Sequence, residues 1–190
     1  MKQIGETSIT RLARAGGVKR IANIKVHKAE VNITLQYLIQ DIIIKASYVA
    51  KFAGRVTIQL SDVRFVLDNI LDTNMTIGDK AYKLCKSMPP KTTKNKQKRG
   101  EKAKKEIDFL ETQSECFLIP GGTFDTIIRE MSKDANIDEF RFSRDAMTLI
   151  HFFVESKLVS YFNTGRMMAM NNKRKTLYAK DIMLAKRIDV

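Results

Sequence analysis

The sequence predicts an all-α protein built of two similar helical units in tandem, and three observations carry that expectation. The 190 residues include only three prolines and nine glycines, so helix formers run through long stretches uninterrupted. Two of those stretches set apolar side chains at helical spacing. The same punctuation by arginine, threonine and aspartate then occurs in both halves, as a duplicated unit requires.

Each half reads as short helix, loop, long helix, loop, short helix. In the first half, Gly16-Gly17 fits a loop after the opening helix. No proline or glycine interrupts Ala22 to Ala53, where Val31, Leu35, Leu38, Ile42 and Val49 recur along one face. In the second half Ser143 is placed to cap a long helix. Ala146, Ile150, Phe153, Lys157 and Tyr161 track its face, and Ser143 to Met170 as one helix would run about 40 Å. Gly165 falls inside it and is expected to cost about 1 kcal/mol of helix propensity.

The repeat is specific in its spacing. Arg55-x-Thr57-Ile58 is followed by Asp62-Val63, and 119 residues later Arg174-x-Thr176-Leu177 is followed by Asp181-Ile182. Upstream, Arg20-Ile21 precedes Arg55 by 35 residues and Arg141-Phe142 precedes Arg174 by 33. A long helix flanked by two short ones leaves a wide apolar face, so neither half closes a core alone. The two halves can cover each other, and fusion raises their effective concentration for that pairing.

Between the halves, Lys80 to Lys105 carries eleven Lys or Arg against the single acid Glu101 and includes Pro89-Pro90 and Gly100. Such a segment cannot bury enough apolar surface to order itself and is read as a basic linker, residues 73–116. The formal net charge of +13 calls for a polyanionic partner. Nucleic acid fits better than a membrane, because no run of about 18 apolar residues occurs and Met1–Arg14 lacks the apolar centre of a signal peptide.

Catalysis and metal binding find no support. Cys85 and Cys116 are 31 residues apart, and with His27 and His151 they do not make the short-spaced ligand set of a zinc site. The cysteines read as reduced thiols and the histidines as ordinary surface or core residues. No glycine-rich phosphate loop and no Cys/His nucleophile pair is present, so no cofactor, metal or enzyme activity is expected.

Ile9-Thr10-Arg11-Leu12-Ala13-Arg14-Ala15-Gly16-Gly17-Val18-Lys19-Arg20-Ile21 resembles the start of the histone fold in histone four, and Thr57-Ile58 through Asp62-Val63 its second loop and third helix. The second half resembles histone three. Phe124 through Ile128-Arg129-Glu130 matches its first helix, Phe140-Arg141-Phe142 the next loop, and Leu158-Val159 with Phe162 the long helix. Lys173-Arg174-Lys175-Thr176-Leu177, Lys180-Asp181-Ile182, Leu184-Ala185 and Lys186-Arg187-Ile188 match the closing loop and helix. The resemblance covers residues 7–71 and 117–188, and this order of halves is similar to that of the histone doublets of large DNA viruses.

That resemblance implies two histone folds, at residues 8–72 and 117–190, paired head to tail after a short tail, residues 1–7. It implies DNA-binding edges where Arg20 lies near Thr176 and Arg141 near Thr57, each threonine orienting its arginine toward a narrowed minor groove. Lys19, Arg55, Lys173 and Lys175 would neighbour phosphates, with Arg11, Arg14 and Arg129 contributing. Met167, Met168, Met170, Asn171, Arg174, Asp181 and Leu184 would join a second copy through a four-helix bundle, an Arg174–Asp181 interaction lying within it. Partners would be double-stranded DNA, a second copy, and a second doublet resembling the other two core histones. The setting would be the virion, the viral replication site of the infected cell, or the host nucleus.

The sequence departs from the family in places. Met168 and Asn171 stand where histone three has Cys and His, so a metal or redox role does not carry over. Pro120-Gly121-Gly122 replaces a basic lead-in, and long modifiable tails are missing. Two functions stay open: packaging of DNA without sequence preference, and a transcription-regulatory histone-fold module that pairs with proteins and does not wrap DNA.

Overall fold

The computed structural model describes residues 2–70, 107–108 and 117–188. Cys85, Cys116 and nearly all of the basic linker lie outside those residues. Among the described residues the order is α1 (Glu6–Ala15), α2 (Ile24–Phe52), β1 (Thr57–Ile58), α3 (Leu60–Phe65) continued by a π-helical turn (Val66–Ile70), α4 (Gly121–Asp134), β2 (Arg141–Phe142), α5 (Arg144–Asn171) and α6 (Ala179–Ile188). Each half therefore has the short–long–short helix order read from the sequence, with a minimal strand in one loop of each.

Local chemistry explains the boundaries. Ser143 caps α5 as expected, its Oγ accepting from the Ala146 amide at 3.2 Å. Four helices end in the same reversal, in which the amide three residues past the last helical residue bonds back to a carbonyl five residues earlier. The bonds are Val18 to Ala13, Arg55 to Ala50, Ile137 to Ser132 and Arg174 to Ala169. The reversal needs a left-handed residue, supplied by Gly17, Gly54, Asn136 and Lys173 at φ of 75°, 67°, 55° and 55°.

The chain divides into two compact units, and each takes segments from both halves of the sequence. Among the described residues, one combines 2–3 and 32–70 with 119–154; the other combines 4–31 with 107–108, 117–118 and 155–188. The first buries Leu35, Ile39, Ile42 and Ile43 of α2, Phe124, Ile127 and Ile128 of α4, and Ile150 and Phe153 of α5. The second buries Ile9 and Leu12 of α1, Leu158 and Phe162 of α5, and Ile182 of α6. Thus neither sequence half forms a unit by itself, which is what two wide apolar faces demand.

Some positions differ from the periodicity reading. Along α2, Leu38 and Val49 are only half-buried, while Ile39, Ile43, Ala46 and Ala50 are fully covered. Lys157 and Tyr161 are likewise half-buried on α5, where Val154, Leu158 and Phe162 take the interior. Both histidines are core residues. His151 stacks on Phe124 with ring centroids 4.0 Å apart, and His27 is 1% exposed with Nδ1 3.2 Å from the Asn23 carbonyl.

Gly165 is no blemish. A Cβ there would lie 3.1 Å from Leu177 Cδ1 and 3.5 Å from the Asp181 carbonyl carbon, so the closing loop and α6 approach α5 at a glycine. Gly16 is tighter still, since its Cβ would lie 2.8 Å from Phe162 Cβ and 3.1 Å from two backbone atoms of α5.

Candidate nucleic-acid interface

Two loop pairings, one in each unit, carry the arginines and threonines singled out by the repeat. In the unit of residues 32–70 and 119–154, β1 and β2 run parallel with Thr57 opposite Arg141 and Ile58 opposite Phe142. The Arg141 amide donates to the Val56 carbonyl and the Ser143 amide to that of Ile58, both at 2.9 Å. In the unit of residues 4–31 and 155–188, Ile21 bridges Leu177 in parallel. There the Leu177 amide donates to the Arg20 carbonyl and the Ala22 amide to that of Leu177, again at 2.9 Å. The register is the same in both, so Arg20 stands beside Thr176 as Arg141 stands beside Thr57.

Arg20 and Arg141 are exposed. Among the described residues neither side chain is bonded to its neighbouring threonine; the backbone pairing alone sets them together.

Each pairing rests on an ion-pair clamp. Arg55 donates to both carboxylate oxygens of Asp62 at 3.0 and 2.7 Å, and Arg174 to those of Asp181 at 3.0 and 2.8 Å. The same guanidiniums donate to the carbonyls of Thr57 and Thr176. Each aspartate also accepts from the amide that opens the final helix, Gln59 at 2.8 Å and Tyr178 at 2.9 Å. One clamp thus fixes the end of a long helix, the threonine loop and the start of a short helix.

Burial by itself would raise both aspartate carboxyls. The hydrogen bonds from the arginine and from the helix-opening amide outweigh it and hold each carboxyl below its usual range. The bonds that Arg55 and Arg174 donate to the carboxylates raise the two arginines in turn. Arg174 also lies over the Tyr178 ring, 4.8 Å from its centroid.

The expected Arg174–Asp181 interaction is present. Arg55, for which the resemblance implies a phosphate neighbour, makes the equivalent pair with Asp62. Asp181 is only 4% exposed and already saturated by Arg174 and Tyr178. Arg14 also has a structural role, since its Nη1 donates to the Val18 and Lys19 carbonyls at 2.5 Å and braces the loop that presents Arg20.

The remaining cations are on the surface or near it. Lys19, Arg129, Lys173 and Lys175 are exposed, and Arg11 is half-buried on α1. Lys19, Arg20, Lys175 and Thr176 line a cavity of about 960 Å³ beside the second loop pairing, together with Arg166. Arg166 escapes a reading of the sequence because it falls inside a helix with no motif around it. Of the residues expected at self-association, Met167, Met170, Asn171 and Leu184 are exposed and Met168 half-exposed. Met183 and Ile188 add apolar surface on α6.

Known proteins match this arrangement. Residues 99–188 match the domain common to the four core histones. The crystal structure of the histone from Methanopyrus kandleri superposes with a TM-score of 0.58, covering 96% of this chain and 93% of that one at 16% identity. The architecture is the histone fold. The exposed Arg20 and Arg141 stand at the loop pairings, and among the described residues no helix is long and apolar enough to cross a membrane.

Proposed function

We propose that this chain is a structural DNA-binding protein in which two histone folds pair head to tail and present their paired loops to duplex DNA. The observation that carries this reading is the repeated loop register, which stands an exposed arginine beside a threonine in each unit. A charge of +13 supplies the long-range attraction, and phosphate contacts give affinity without sequence preference. Arg20 and Arg141 enter a narrowed minor groove, where negative potential rather than base identity is read. Lys19, Lys173, Lys175, Arg11 and Arg129 serve neighbouring phosphates.

In this reading the exposed Met167, Met170 and Leu184 surface joins a second copy. The resulting tetramer-like unit wraps DNA as the centre of a nucleosome-like particle, completed by a second histone doublet. The viral setting comes from the resemblance of the sequence to viral doublets. No catalytic step is part of the proposal.

The test is topological. Closed circular DNA is incubated with the protein and a topoisomerase, then deproteinised. Wrapping leaves supercoils whose number rises with the amount of protein bound. A histone-fold module that binds only other proteins leaves the circles fully relaxed, and that result would refute the proposal.

A further inference from the structure

Arg174 and Arg166 line the same cavity, yet they are partnered in opposite ways. Arg174 is neutralised by a buried carboxylate, whereas Arg166 is held among the described residues only by neutral groups. Its Nη2 donates to Asn163 Oδ1 at 3.0 Å, and its Nη1 touches Met170 Sδ at 3.8 Å. Its Nε is buried with no hydrogen-bond partner among the described residues.

The position of the side chain is built rather than incidental. The guanidinium lies across Gly17, where a Cβ would meet Arg166 Nε at 3.2 Å and Cζ at 3.4 Å. Gly17 therefore serves twice: its positive φ ends α1, and its missing side chain makes room for Arg166. The cavity of about 960 Å³ beside it is lined by Arg14, Lys19, Arg20, Arg174 and Lys175 as well, with no acidic residue in its wall among the described residues. Arg174 is neutralised by Asp181, but Lys19, Arg20, Arg166 and Lys175 bring further positive charge to the same wall, and like charges repel one another. A phosphate oxyanion relieves that repulsion, and a planar guanidinium meets two of its oxygens at once.

We propose that this cavity takes a phosphate group, with Arg166 as a binding residue beyond the paired loops. The inference rests on the DNA-binding reading above and adds a residue to that site. Among the described residues the other loop pairing has no equivalent. Eight residues before Arg174 stands Arg166, but eight before Arg55 stands Ser47, buried and donating to the Ile44 carbonyl at 2.7 Å. The loop before Arg141 instead carries exposed Asp138 and Glu139. The two edges therefore hold DNA with unequal strength, and the one containing Arg166 is the tighter.

The experiment compares duplex-DNA affinity over a salt series for the full chain, Arg166→Gln, Arg166→Lys and Arg187→Gln. Arg187 is exposed on α6 outside the cavity, so its variant loses the same charge elsewhere. The slope of log affinity against log salt should shrink by about 0.9 for Arg166→Gln, the value of one lost phosphate contact. Arg187→Gln should keep the original slope. Arg166→Lys should keep the slope while binding several-fold more weakly, since it retains charge and loses the planar fork.

Calorimetry with inorganic tripolyphosphate separates the sources of phosphate. Binding that Arg166→Gln abolishes means the cavity also accepts free polyphosphate. A changed slope without tripolyphosphate binding assigns it to the DNA backbone. Equal slopes for the full chain, Arg166→Gln and Arg187→Gln, with no tripolyphosphate binding, would overturn this inference and leave the DNA-binding reading standing. A salt-insensitive affinity of the full chain would overturn both.

Discussion

Asp181 is gripped by Arg174 through two hydrogen bonds of 2.8 and 3.0 Å, and Asp62 is gripped by Arg55 in the same geometry. Because each pair ties a helix end to a loop and to the next helix, removing one partner should loosen that whole corner. Asp181→Asn should destabilise the protein by about 2 kcal/mol through lost charge-assisted bonds. Arg174→Met strands a buried carboxylate without its partner and should destabilise more than Asp181→Asn does. Denaturant midpoints at unchanged slope measure both.

The clamps also set an acid limit. Both aspartates hold their carboxyls below the usual value of 3.8, so in acid the unfolded chain binds more protons than the native one. Their contribution is full above that value and is lost as pH falls through the depressed native values. Stability measured from pH 6 downward should therefore decline from about pH 4. The Asp62→Asn, Asp181→Asn double variant should start less stable and show a shallower decline over the same window.

Glycine positions test the close approaches. Gly16→Ala should destabilise by about 2 kcal/mol, since its Cβ would meet α5 backbone as well as Phe162. Gly165→Val should destabilise by a similar amount, about 2 kcal/mol, by overpacking against Leu177 and the Asp181 backbone. If Gly165 were only a weak helix former, substitution would raise stability instead. Thermal unfolding of the two variants decides the sign.

Lys173 closes α5 in the left-handed region at φ 55°, where Gly17 and Gly54 serve α1 and α2. Lys173→Gly should therefore stabilise the fold by about 0.5–1 kcal/mol. The same variant should bind DNA more weakly, because it removes an exposed cation from the loop beside Arg174. Opposite signs in thermal unfolding and in DNA affinity are the expected result.

How far the sequence anticipates this structure depends on what each residue answers to. The long helices are legible because local spacing and the lack of proline and glycine from Ala22 to Ala53 decide them. Opposition of Arg20 to Thr176 and of Arg141 to Thr57 is implied by the resemblance to histone folds, and not by spacing, which indicates only that the unit is duplicated. The duty of Arg55 is not legible, since an arginine near a loop looks the same whether it faces phosphate or a buried Asp62. Gly165 misleads because helix propensity is a local property, whereas the approach of Leu177 is a tertiary one. Arg166 gives no signal, because its significance comes from Gly17, 149 positions earlier in the chain.

The loop arginines make separable demands on affinity and on shape. Arg20→Ala with Arg141→Ala should weaken DNA bending more than DNA retention, because the remaining cations still attract phosphate. Gel retention alongside a fluorescence-based bend measurement distinguishes the two. Lower affinity with unchanged bending would count against a minor-groove role.

Packaging is tested most simply by nuclease digestion of long duplex DNA bound by this protein, alone and with a second histone doublet. Wrapping predicts a discrete protected length that grows when the second doublet is added. A smear in both cases would contradict it and leave a basic histone-fold protein that does not wrap DNA.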